Sequence, residues 1–234
     1  MMAPSPSRAR LALVAAAAAL ALAAAAVWIG LGTREPGTGS STVRLEAVDE
    51  PGPAPYTASV GTDRDGVVPP ADPGGERRGD SPGLYGRADG ACDPDALAVA
   101  LRAAGRDTVW ARAQGRADGD AAAVLAALTP LVLRVDVLVD EHGWVGSADR
   151  THRAVLQAGS AVLVDDRGVP RVRCTGGNPL APPAAALGDD VTGTPWRWFA
   201  ASTVATVTPA DRPLAGFAVV DLETGGAAEV PARH

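Results

Sequence analysis

The chain has 234 residues and a net charge of −6, and all 21 of its basic side chains are arginine. The arginines are scattered among aspartates, so there is no basic face of the kind nucleic acid calls for, and a nucleic-acid partner is not expected. Alanine, glycine, valine, proline and aspartate dominate as they do under GC-rich codons, so motifs built from Ala, Gly, Asp or Arg carry little weight.

Residues 1–10 carry Arg8 and Arg10, and an uncharged run, LALVAAAAALALAAAAVWIGLG, follows over 11–32. As a helix rising about 1.5 Å per residue it reaches roughly 33 Å, enough for a hydrocarbon core of about 30 Å. A cleavable signal has a shorter apolar core, about 7–15 residues. Ala24-x-Ala26 fits a cleavage site, yet Val27, Trp28, Ile29 and Leu31 continue the run beyond it. The expectation is an uncleaved single-pass signal-anchor over 11–32, with cleavage and secretion as the alternative. Basic residues ahead of the span put 1–10 in the cytoplasm and the chain from about Thr33 outside.

Residues 33–54, rich in Pro, Gly, Ser and Thr, read as a flexible tether with a short strand at 42–47. One extracytoplasmic domain is expected over 55–232, opening on a strand at PYTASV (55–60). The Gly/Pro/Asp-rich stretch 61–90 reads as a long, partly disordered loop, with Leu84 and Tyr85 packing back onto the body. Three short helices follow. Asp93 caps the first, with Pro94 at its first position and Leu97, Leu101 and Ala104 on one face. Asp107 caps the second, and Asp118 or Asp120 the third, AAAVLAAL, which stops before Pro130.

Beyond Pro130 the period changes to two. In LVLRVDVLVD, Leu133, Val135, Val137 and Val139 point one way and Arg134, Asp136, Leu138 and Asp140 the other, a strand with one buried face. AVLVDDRGVPRVRC reads as a hairpin: Ala161–Val164, a turn at 165–168, and a second arm over 169–174. On that arm Pro170, Val172 and Cys174 alternate with Val169, Arg171 and Arg173, so Cys174 shares the inward side with Val172. Further strands are expected at 202–208, 216–222 and 228–230. The architecture is α+β: a short helical insert followed by a mainly antiparallel sheet, behind one N-terminal transmembrane helix.

Cys92 and Cys174 are the two cysteines. An even count on an exported segment reads as one disulfide; the competing readings are a cysteine nucleophile or a thiol metal ligand.

Several segments, ALTPLVLRVDVLVDEHG, VLQAGSAVLVDDRGVPRVRC, GNPL and GTPW, resemble an actinobacterial domain family of unknown function. The likeness runs from about Glu46 to Asp221 and implies a membrane-anchored or exported domain with no assigned chemistry. The family tends to show a double glycine where this chain has Gly86-Arg87, and a further cysteine where it has Gly176. The latter departure leaves Cys92 and Cys174 as the pair.

Candidate chemistry is thin. His142 lies in Asp140-Glu141-His142-Gly143, which reads as a polar hairpin turn, and His152 in the polar stretch ADRTHR. No Gly-x-Ser-x-Gly elbow is present, and Ser160 opens a strand. Asp63-x-Asp65-Gly66 resembles the start of a calcium loop without its later ligands. No catalytic residue, cofactor or metal centre is therefore expected. Trp196, Arg197 and Trp198, in GTPWRWFA, are residue types enriched at binding hot spots, and they form the candidate contact surface against the plainer reading of rings capping the sheet. The expected function is a non-catalytic envelope module whose partners are the membrane and a protein or wall component. The alternative is an envelope hydrolase using His142 or His152.

Overall fold

The computed structural model describes residues 42–48 and 50–234. The cytoplasmic segment, the signal-anchor over 11–32 and the first part of the tether lie outside the described residues. Among the described residues no helix is long and apolar enough to cross a membrane.

The chain opens with β1 (Val43–Glu46), β2 (Gly75–Arg78) and β3 (Tyr85–Arg87), then three helices, α1 (Pro94–Ala103), α2 (Asp107–Ala113) and α3 (Ala121–Ala126). It continues with β4 (Thr129–Leu133), β5 (Val137–Val145), β6 (Ala148–Leu156), β7 (Ala161–Val164), β8 (Pro170–Arg173) and β9 (Asn178–Ala181). The last strands are β10 (Val191–Thr192), β11 (Ala205–Thr208), β12 (Gly216–Asp221) and β13 (Ala227–Pro231). Among the described residues these strands join in one sheet, ordered β10-β1-β6-β5-β9-β8-β7-β4-β3-β12-β13, with β11 paired to β2 and β5.

The sheet is mixed, not mainly antiparallel. Hairpins such as β5–β6 and β7–β8 are antiparallel, but β1 lies parallel to β6 and β10, β11 to β2 and β5, and β3 to β12. These parallel pairs join strands remote in sequence, which local patterns do not encode.

Three apolar clusters show how the layers stack. Leu131, Leu133, Val162 and Val164 pack with Val137, Val139, Ala154 and Leu156, so the sheet folds over on itself about β9 and encloses its main core. Leu97, Leu101, Trp110 and Leu125 of the helices pack on Val132, Leu163 and Val172, the outer face of one half. Val43, Leu45, Leu138 and Val155 form the outer face of the other half, beneath Trp196 and Phe199. Each fully buried aliphatic side chain contributes about 1.5–3 kcal/mol relative to exposure.

Local signals act as expected in several places. The Asp93 carboxylate accepts the Ala96 N–H at 2.9 Å, Asp120 accepts that of Ala123 at 3.0 Å, and Pro94 opens α1. Asp107, by contrast, is inside α2; Arg106 holds the cap position without a side-chain bond. The hairpin β7–β8 forms as read, and Val172 and Cys174 share its helix-facing side, both 0% exposed. Cys92 and Cys174 are disulfide-bonded, fastening the start of α1 to the end of β8.

Other expectations give way. The short strand expected at 42–47 forms as β1, but it is part of the folded sheet and not of a tether, because Val43 and Leu45 have an apolar face to fill. Residues 55–60 form no strand; single bonds from Thr57 to Gly176 and Val60 to Cys174 guide them past the sheet. The stretch 61–90 contains β2 and β3, with Leu84 and Tyr85 buried and the Tyr85 hydroxyl donating to the Gly168 carbonyl. The strand expected through 131–140 is two strands, broken where Asp136 turns in to accept the Ala158 N–H at 2.8 Å. Leu138 is buried as well, since both faces of β5 are covered. The supposed turn at 140–143 and the polar stretch around His152 are strand, in β5 and β6. The turn between them falls at Gly146, whose φ of +65° suits glycine.

Candidate functional site

Two places combine unusual burial with polar chemistry. The first lies between the two halves of the sheet. Glu141 of β5 stands opposite His152 of β6, and Glu46 of β1 stands opposite Leu156 of β6. The two-residue period of β6 puts His152 and Leu156 on one face, so all three polar residues point inward. From the other half, Arg173 of β8 pairs with Val162, a main-core residue, and also points inward.

There Arg173 Nη1 donates to Glu46 Oε2, while its Nη2 donates to the carbonyls of Ala47 at 3.1 Å and Glu50 at 2.6 Å. His152 Nε2 sits 2.9 Å from Glu46 Oε1. Glu46, Glu141 and Arg173 are 1%, 0% and 0% exposed. Burial pulls the Glu46 carboxyl upward, but the His152 hydrogen bond and the Arg173 charge together hold it below the usual range. Glu141 is the reverse case: burial, then the neighbouring Glu46 charge, push it well above the usual range. Neither Glu141 oxygen has a hydrogen-bond donor. One donor atom each from Glu46, Glu141 and His152 lie within 4.8 Å of one another.

The second place is a groove of about 720 Å³ at the ends of the strands. One wall is the loop carrying Val67, Val68 and Pro70, and the other carries Trp196, Arg197 and Trp198. The tryptophans differ. Trp196 is half-buried, edge-on to Phe199 at 5.1 Å, with its Nε1 donating to Asp136 Oδ2 at 3.1 Å. Trp198 is 72% exposed, with the Arg197 guanidinium 4.5 Å from its ring centre. Asp136, on the groove floor, is 6% exposed; burial raises its carboxyl, opposed by the bonds from Ala158 and Trp196.

The two histidines are not brought together as a pair. His142 is on the opposite face of β5 from Glu141, its Nδ1 2.8 Å from Asp149 Oδ2, and Tyr56 donates to the other oxygen of that carboxylate. Burial, then Asp149, raise the Tyr56 hydroxyl strongly. Thr151 Oγ1 reaches the same His142 nitrogen at 3.4 Å, so that nitrogen is shared with Asp149. Asp63, read as the start of a calcium loop, accepts the Ala161 N–H at 2.8 Å.

Fold and sites together define a disulfide-bonded, mostly β domain with a buried Glu–Glu–His–Arg cluster and an open aromatic groove. The chain belongs to the family described as a domain of unknown function, DUF6777, whose model matches residues 75–233. Glu141, His152, Arg173 and the tryptophans fall within that match, and β1 with Glu46 precedes it. No curated protein matches the chain, and no solved structure matches it.

Glu46, Glu141 and Arg173 escape sequence reasoning. A usable signal for Glu141 was present: Trp144 and Val145 continue the strand pattern past Glu141, and Gly146-Ser147 makes a better turn than Asp140–Gly143.

Proposed function

We propose that the chain is a non-catalytic binding module, exported and held outside the membrane by the 11–32 segment, which captures a protein or cell-wall component of the envelope in the Trp196–Trp198 groove. The observation that carries this reading is Trp198, 72% exposed beside a groove of about 720 Å³. That volume is in the range of ligand sites, about 300–1,000 Å³. Half-buried Trp196, tied to Asp136, fixes the wall from which Trp198 projects. Tryptophan and arginine supply area and charge at binding hot spots. Export is supported by the Cys92–Cys174 bond, since disulfides persist in oxidising compartments, and by the basic start ahead of the apolar run.

The test is capture by crosslinking in cells carrying the full chain or its Trp198→Ala variant, alongside binding of the purified chains to isolated cell-wall polymer. An exposed substitution changes stability by no more than about 0.5 kcal/mol, so W198A is expected to keep its circular dichroism and lose the captured species. Undiminished capture by folded W198A would sink the groove reading. A His142 or His152 variant that stays folded and keeps its partner, yet loses activity in cells, would favour the envelope hydrolase.

A further inference from the structure

We propose that Glu46, Glu141 and His152 form a binding site for one divalent transition-metal ion, zinc or manganese, inside the folded-over sheet. The Glu141 carboxylate carries the inference. It is fully buried, both oxygens lack a donor, and another buried carboxylate, Glu46, lies beside it. Two buried carboxyl groups side by side require something positive between them, a proton or a cation. His152 Nε2, 2.9 Å from Glu46 Oε1, supplies the nitrogen that distinguishes a transition-metal donor set from an all-oxygen calcium or magnesium one.

The surroundings fit that role. Metal-bound carboxylates are held by outer partners, and Glu46 has one on Oε2, Arg173, which leaves Oε1 to His152. The loop after β1 closes over the cluster, tied down by Arg173 on the Ala47 and Glu50 carbonyls. Gly52 sits so close that a Cβ there would lie 2.9 Å from Glu46 Oε2 and 3.7 Å from Glu141 Oε1. Access is from the side of His152 and Arg44, whose side chains are 27% and 41% exposed. A tetrahedral ion with bonds of about 2.0–2.1 Å sets its donors about 3.4 Å apart, so His152 Nε2 and Glu46 Oε1, now 2.9 Å apart, would open slightly to admit it, and Glu141 adjusts within the 4.8 Å that spans the three donors.

The charges around the site are mixed. Glu46, His152, Arg173 and Arg44 face Glu141 from β1, β6 and β8. The two carboxylates favour a cation, and the arginines add positive charge that weakens its binding.

The experiment takes the full chain, purified in detergent and stripped with chelator, and titrates it with zinc chloride or manganese chloride alone. Heat of binding and melting temperature are followed at pH 7. One ion per chain is expected, with a rise in Tm. Glu141→Gln can donate its amide to Glu46, so E141Q is expected to fold without metal at least as stably as the wild type and to lose the Tm rise. Should E141Q not fold, His152→Ala, at a partly exposed position, is expected to fold and lose the rise instead. No Tm change in the stripped wild type, or an equal change in a folded E141Q or H152A, overturns the proposal and leaves Glu141 as a buried protonated carboxyl.

Discussion

Replacing Arg173 by methionine removes a fully buried guanidinium while keeping the length of the side chain. Glu46, 1% exposed, then loses the charge on its Oε2 and keeps only the His152 bond on Oε1. Breaking a buried ion pair from one side costs about 3–5 kcal/mol. The carbonyls of Ala47 and Glu50 add little, because Glu50 is exposed and can turn to water. With a urea slope of about 2 kcal/mol per molar, the unfolding midpoint falls by roughly 1.5–2.5 M. The sign of the pH dependence follows from Glu46. In the native protein its carboxyl is held below the unfolded value, so its contribution is present above about pH 4.3 and drains away as pH falls through the folded value. In R173M the His152 bond and the Arg44 charge still act on Glu46 but the Arg173 charge does not, so the carboxyl rises from its native position and part of that contribution is lost. The gap between the two proteins is therefore widest near pH 7 and narrows towards pH 4. Adding Glu46→Gln removes the stranded charge and restores most of the loss. Urea titrations in chelator at both pH values decide it: a loss under about 1 kcal/mol at pH 7, the same loss at both, or no recovery in R173M/E46Q would refute the reasoning.

Two further perturbations probe the rest of the architecture. Joining Cys92 to Cys174 closes a loop spanning 82 positions, worth up to about 4.5 kcal/mol by the chain-entropy relation; C92A/C174A is expected to unfold in urea roughly 2 M earlier, with the same shift produced in the wild type by reductant. His142→Ala removes one bond to Asp149, whose other oxygen keeps Tyr56; a cost of about 1 kcal/mol by thermal melting is expected, with W198-dependent capture unchanged.

What the sequence discloses and what it hides divide along a physical line. Asp93 and Asp120 act within three residues of their own positions, and the β7–β8 hairpin turns within four, so local pattern suffices for them. The disulfide was legible because two cysteines leave one pairing. The buried cluster has no such local signature. Glu46 meets His152 across 106 positions and Arg173 across 127. Arg173 alternates with the inward-facing Val172 and Cys174, a phase that gives no hint of its burial, yet it is 0% exposed. Alternation says which residues share a face, and says nothing about whether the other face also meets protein. Here helices cover one side of β8 and the folded-over sheet covers the other. The same reasoning explains Leu138, assigned to a polar face and found 1% exposed.

Strand β5 also explains why the groove and the cluster can be tested separately. Asp136, just before it, holds Trp196 and the Ala158 backbone at the groove floor, whereas Glu141 lies five residues on, about 17 Å along an extended chain. Sites that far apart without shared partners respond additively to substitution. The groove walls are loops, the kind of segment that varies and binds; the tryptophan wall rests on the sheet through Asp136 and the other through Arg134, which donates to the Val68 carbonyl. The cluster is interior, and it fastens β1 to β8, next to the disulfide that fastens β8 to α1. A change at Trp198 should therefore alter what the domain holds without altering its fold. A change at Arg173 should loosen the inner layer before it touches the groove, so loss of capture in R173M is expected to track unfolding.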